Sequence, residues 1–270
     1  MSATKTITGT QYDPKYIKEM EFAISLAEQA GSLMTANLGF NTRAKWKADN
    51  SPVTQTDIDI NKLVIEQIGQ MYSDDGVLGE ESSFKPERKR RWIVDPIDGT
   101  QAFDLGVPVS TFCLALVEDD EIKLGVVYDP YMKRMFTATA RHGAYLNGTK
   151  LQVSDKDSLA QSYIILSSRM GEKFPTTGQL YDRVEQAKGK SFNFRSIVYG
   201  YMTVATGTAV AAVAGYLFPW DLAAAKVILE EAGARVTDRN GKPCRYNETA
   251  NGVLVSNGKV HQQMLDLIHS

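Results

Sequence analysis

The run Trp92-Ile93-Val94-Asp95-Pro96-Ile97-Asp98-Gly99-Thr100 constrains this chain more than any other stretch. Three apolar residues lead straight into Asp95, while Pro96 and Gly99 interrupt any regular continuation. A buried strand therefore has to end on two closely spaced carboxylates. Such a pair repels, and one member gives up its charge unless a cation neutralises both. Pro96 restrains the turn, Ile97 offers its carbonyl inward, and Gly99 removes side-chain bulk. Carboxylates plus a carbonyl make a hard oxygen site, suited to Mg2+ rather than Zn2+. If a short helix starts at Gly99-Thr100, its free amides add a phosphate cradle beside the metal. Taken alone, Asp95 and Asp98 serve equally well as a capped turn.

Further acids fall at the ends of other elements. Glu80-Glu81 close "VLGEES", and Asp221 stands before "LAAAKVILEEAGA", a helix that stops at Gly233. Each is ordinary by itself, the first as a solvated loop and the second as a helix cap. Their joint occurrence with Asp95 and Asp98 turns the reading toward metal-assisted phosphate chemistry.

The remaining pattern places these acids in a layered protein. Ile17, Met20, Ile24, Ala27, Gly31 and Met34 recur at helical steps within 14–38. A second helix opens near Asp57 and presents Ile60, Val64, Ile68 and Met71. "TFCLALVED", "EIKLGVVYDP" and "KRMFTATA" predict strands, with a hairpin at Asn147-Gly148. A strand over 162–168, a helix near 177–187 and a tightly packed helix of small residues over 202–215 follow. Asn240-Gly241 predicts another hairpin, "GVLVSN" a last strand and "VHQQMLDLI" a closing helix. The basic run "KPERKRR" reads as a solvated loop. This order predicts an α+β fold of alternating helix and sheet layers, one unit with packed halves at about 1–150 and 151–270.

Composition removes several function classes. A formal charge of −2 leaves no global basic field to hold nucleic acid or a membrane surface. Cys113 and Cys244 lie far apart with no CxxC or Cys/His partner, which argues against a disulfide framework or a zinc site. No apolar run approaches spanning length and the first ten residues hold no signal-like core, so a cytoplasmic location is expected.

Three ordered motifs resemble the inositol monophosphatase superfamily: Gly79-Glu80-Glu81-Ser82, Asp95 to Thr100, and Trp220-Asp221 followed by Glu231-Ala232-Gly233. "GVVYDP" and "GAYLNG" are similar to the middle of that family, so the likeness runs from the first helix to the last strand. The resemblance implies an αβαβα sandwich and Mg2+-dependent hydrolysis of a small phosphorylated metabolite. It implies that Glu80, Asp95, Asp98, Asp221 and the carbonyl of Ile97 hold the metal, and that Gly99, Thr100 and Asp221 bind the phosphate and substrate. Thr100, paired with Asp57, would orient the attacking water while Glu80 accepts its proton. Glu81 and Lys47 would stand near the metal. Li+ sensitivity and a homodimer are expectations of the family alone.

The substrate side departs from the inositol pattern. Relatives carry a hydroxyl-binding acid seven residues before the Trp-Asp aspartate, and here that position is Ala214. A G-[ST]-A-A segment after Arg195-Ser196 is missing, and Tyr199, Tyr201 and Phe218 bring aromatic surface instead. Ala102-Phe103 is similar to histidinol-phosphate phosphatases, which favour a basic residue where Gln101 stands, whereas the Trp220-Asp221 context is closer to the inositol branch. The expected substrate is a sugar, polyol or amino-alcohol phosphate. The alternatives are histidinol phosphate, a 3′-phosphoadenosine nucleotide, fructose bisphosphate, or a non-catalytic regulatory role.

Overall fold

In the computed structural model, residues 11–39, 44–48, 50–167, 170, 175–216, 218–248 and 252–270 are described. The first layer is a helix pair, α1 (Ile17–Asn37) and α2 (Gln55–Met71). Between them β1 (Lys45–Trp46) pairs antiparallel with β2 (Pro52–Val53). A capping box opens α2: the Thr54 hydroxyl oxygen accepts from the Asp57 amide, and the Asp57 carboxylate accepts from the Thr54 amide. This local bond fixes Asp57 at the head of the helix, where the site needs it.

Under the helix pair lies a seven-stranded sheet, built from β3 (Gly76–Gly79), β4 (Arg90–Asp98), β5 (Thr111–Glu118), β6 (Glu121–Asp129), β7 (Arg134–Thr139), β8 (Ala144–Leu146) and β9 (Thr149–Lys150) in that order. β3 runs parallel to β4 and every later pairing is antiparallel. The short helix α3 (Thr100–Asp104) leaves the end of β4. Met20, Met34, Ile60, Val64, Trp92 and Phe112 fill the space between helices and sheet.

The second sheet takes β10 (Tyr163–Leu166), β11 (Lys190–Phe192), β12 (Ala209–Ala214), β13 (Arg235–Thr237) and β14 (Val253–Ser256) in the order β11-β10-β12-β14-β13. α5 (Ile197–Ala205) and α6 (Pro219–Glu231) lie between the sheets. α4 (Thr177–Gln186) and α7 (His261–His269) cover the far face through Leu180, Val184, Met264 and Ile268. The expected αβαβα layering is what forms. Small residues let the middle layer close. A Cβ on Gly125 of β6 would stand 2.6 Å from the Ala224 carbonyl of α6, so only glycine allows that approach. The same approach brings the head of α6 to the carboxyl end of β4.

Two local expectations fail. Residues 202–215 are not one helix: α5 ends at Ala205, Gly207 turns with φ +74°, and β12 begins at Ala209. β12 is buried along its whole length between β10 and β14, so no exposed face imprints a strand period on the sequence. The basic run is not wholly a solvated loop either. Arg90 opens β4 and its guanidinium pairs with Glu19 at 2.7 Å, Asp75 at 2.7 Å and Glu118 at 3.0 Å. Long-range pairing of this kind leaves no local signal. Among the described residues no helix is long and apolar enough to cross a membrane.

Candidate active site

β4 ends in an irregular step between Asp95 and Asp98, where its pairing with β5 shifts register. Both carboxylates thereby leave the sheet toward the head of α6. There Asp221, third residue of the helix, accepts from the Phe218 amide at 2.8 Å in a capping-box geometry. One oxygen each from Asp95, Asp98 and Asp221 lies within 4.8 Å of the others, so residues 126 apart in sequence meet at one point. They stand on the floor of an open cleft of about 150 Å3, which Glu80, Ile97, Gly99, Thr100 and Gln101 also line.

Electrostatics follow from this crowding. Burial first, then the neighbouring carboxylates Glu80, Asp98 and Asp221, push Asp95 well above the usual carboxylate range. Burial lifts Asp98 to about 6, held back by donors from Ser196 and the amides of residues 197–199. Burial and the Asp98 charge raise Asp221 to about 8. Three neighbouring acids that resist ionisation form an all-oxygen donor set in want of positive charge. The nearby Lys47 does not supply it. Its Nζ lies 3.0 Å from Glu80 Oε1 and 2.5 Å from Glu81 Oε1. The donor set therefore fits a hard divalent cation.

Around this floor the expected residues take distinct places. Glu80 lines the cleft, but its carboxylate is ion-paired to Lys47 and stands outside the tight trio. Thr100 Oγ1 lies 3.1 Å from Asp57 Oδ1 and 3.1 Å from the Ile97 carbonyl, so its single proton has two acceptors to choose from. Asp57 is fully buried, and burial raises it to about 7 against the donors of Thr54. Ile97 donates its amide to Asp95 Oδ1 at 3.0 Å, which orients that carboxylate. Gly99 adopts φ +93°, and a Cβ there would stand 2.7 Å from Ser196 Cβ.

Ser196 was not among the expected residues. It caps the head of α5, and its hydroxyl donates to Asp98 Oδ2 beside the Val198 amide at 2.9 Å. The G-[ST]-A-A segment remains missing after Arg195-Ser196, and a serine before an apolar helix was the available signal for Ser196. The aromatic expectations divide. Phe218 lines the cleft, joined by Tyr216, Trp220 and Phe194, which were not singled out for it. Tyr201 does not: it is wholly buried, and its hydroxyl has no hydrogen-bond partner. Tyr199 packs at a tilt against Phe194 and lies under Arg134 rather than lining the cleft. Ala214 ends β12, buried and outside the lining.

Comparison with known proteins bears on this geometry. Residues 17–270 match the sequence model of the inositol monophosphatase family. A fructose-1,6-bisphosphatase/inositol-1-monophosphatase of Thermotoga maritima is 30% identical, over 93% of this chain and 95% of that protein. A histidinol-phosphatase of Chlorobaculum parvum is 34% identical, over 83% of this chain and 87% of its own length. The solved structure of an IMPase from Thermotoga maritima superposes with a TM-score of 0.87 at 30% identity, covering 94% of this chain and 97% of that one.

Proposed function

The chain belongs to the inositol monophosphatase family of phosphoric monoester hydrolases, and from that premise we propose that it uses Mg2+ to hydrolyse a small phosphate monoester. The observation that carries this reading is the meeting of Asp95, Asp98 and Asp221 within 4.8 Å on the floor of an open cleft. Those carboxylates and the Ile97 carbonyl would hold the ion, with Glu80 adding a further carboxylate from the same wall. When bound, Mg2+ would neutralise phosphate charge and lower the pKa of a coordinated water.

The chain's own groups would then order the reaction. Gly99 and Thr100 lead into α3, where the first amides lack helical partners and can donate to phosphate oxygens. Thr100 Oγ1 donates to Asp57, which leaves its lone pairs free to accept a proton from the attacking water. Asp57, already raised to about 7, would take that proton through Thr100 at its Oδ1. The new bond would join water oxygen to phosphorus, the ester P–O bond would break, and the leaving alkoxide would take up a proton from solvent as Asp57 gives its own back, so that proton count is restored. Glu80, which the family resemblance puts in the role of proton acceptor, is held by Lys47 and would act first as an anionic wall.

Li+ sensitivity and a homodimer rest on the family likeness, a cytoplasmic location rests on the sequence pattern, and all three belong to the same proposal. A panel of esters assayed with and without Mg2+ tests the reading: inositol 1-phosphate, fructose 1,6-bisphosphate, histidinol phosphate and a 2′- or 3′-nucleotide. Turnover of at least one, abolished by chelation, is the expected result. A chelator-insensitive rate, or no release of phosphate from any, would overturn it.

A further inference from the structure

The wall of the cleft away from the carboxylates has its own chemistry. β10 lies between β11 and β12 and runs parallel to both, so the three strands send their carboxyl ends the same way. The residues that follow them line the cleft: Ser167 after β10, Asn193, Phe194 and Arg195 after β11, and Tyr216 after β12. A crevice at the carboxyl ends of parallel strands is where open α/β sheets bind ligands. Two strand spacings put the β11 and β12 loops about 10 Å apart. That gap admits one flat ring with side chains packed on either face at about 3.5–4 Å.

Four of the side chains that line the cleft here are aromatic: Phe194, Tyr216, Phe218 and Trp220. Trp220 and Phe218 stack with centroids 4.9 Å apart at 12°, and Tyr216 meets Phe218 edge-on at 5.1 Å and 85°. This ladder climbs from Asp221 on the floor to Tyr216 at the mouth, which is 43% exposed. Phe194, stacked on Phe192, stands on the β11 side. The position where relatives carry a polyol-binding acid is Ala214, buried outside the lining, so a ring of hydroxyls finds no carboxylate on this wall, whose polar groups are Ser167, Asn193 and Arg195.

Resting on the phosphatase reading, we infer that the alcohol leaving group carries a planar heteroaromatic ring, clamped between Phe194 and the Tyr216–Phe218 ladder. Tyr216 is the specificity-determining residue. Its ring has no packing duty in the buried core, and it presents the outermost face of the ladder to whatever extends from the phosphate. An imidazole alcohol or a nucleoside supplies such a ring equally well.

The test compares kcat/KM for four esters with Mg2+: glycerol 2-phosphate and inositol 1-phosphate without an aromatic ring, histidinol phosphate with imidazole, and 2′-AMP with purine. The native protein should prefer one ring-bearing ester by at least about tenfold, the size of one stacking contact. Which one it prefers identifies the source of the ring. Tyr216→Ala should cut that preference by about tenfold, mainly through KM, and Tyr216→Phe should retain it. Equal losses on all four esters, or a native preference for glycerol 2-phosphate or inositol 1-phosphate, would overturn the clamp while leaving the phosphatase reading intact. No hydrolysis of any ester would overturn both.

Discussion

Asp221→Asn should make the protein more stable without divalent cations and far less active with them. The exchange keeps the shape and the oxygen that accepts from the Phe218 amide at 2.8 Å, and removes one charge from a trio within 4.8 Å. At that separation, with an effective dielectric constant of about 20, one ionised neighbour costs about 3.5 kcal/mol. Asp98, raised to about 6, is that neighbour once Asp221 itself ionises near 8. Slightly above that pH the variant should gain about 3 kcal/mol in chelator, or roughly 10 °C in Tm for a chain of this size. The sign follows from linkage. A carboxyl whose folded pKa is raised holds its proton longer in the native state, so it favours folding at low pH. That contribution fades as pH climbs from 3.8 towards about 8. Saturating Mg2+ should reverse the ranking, since it stabilises the native protein by about 2.7 kcal/mol at a hundredfold excess over Kd and the variant much less. Turnover should fall by about two orders of magnitude or more. The assay is thermal unfolding above pH 8 in chelator and in Mg2+, with phosphate release on the same samples. A variant less stable than the native protein in chelator would refute the reasoning. So would one that keeps the full Mg2+ shift.

Other consequences can be checked in parallel. Gly99→Ala puts a Cβ at φ +93° and 2.7 Å from Ser196 Cβ, which should cost about 1–3 kcal/mol by denaturant titration and at least about tenfold in kcat. Tyr201→Phe removes a buried hydroxyl with no partner and should raise stability by about 1 kcal/mol; a loss would mean that hydroxyl is satisfied. His261 is buried between Ser256 Oγ at 2.8 Å and Thr237 Oγ1 at 2.9 Å, and burial with Arg235 lowers it to about 4. The unfolded chain therefore takes up a proton that the native state refuses. Stability should fall as pH drops from about 6.5 to about 4, and His261→Gln should flatten that limb in pH-dependent unfolding.

Much of the candidate site was legible because its signals are local. Two acids flanking Pro96-Ile97 at the end of an apolar run, a threonine cap three residues before Asp57, and an acid at the head of "LAAAK" all declare themselves within a few positions. Helix periods in α1 and α2 were equally plain, since each has one buried and one wet face. β12 was misread because burial on both faces erases the period, and Ala209–Ala214 carries only small apolar residues. Arg90 looked like part of a charged loop because Glu19, Asp75 and Glu118, which hold it, are distant in the chain.

The chemistry of the site was readable only from the joint occurrence of Glu80, Asp95, Asp98 and Asp221 at element ends, because each acid alone reads as well as a loop or a cap. Distances and shape were not readable at all. The meeting of Asp221 with Asp95 and Asp98 depends on how closely α6 packs on β6 over Gly125. The capture of Asp98 by Ser196 depends on α5 lying between the two sheets. Phe194 faces the same crevice as the local ladder Tyr216-Phe218-Trp220 because parallel strands β10, β11 and β12 bring residues 194 and 216 together. Contacts of that kind arise from packing between layers, which no spacing along the chain encodes.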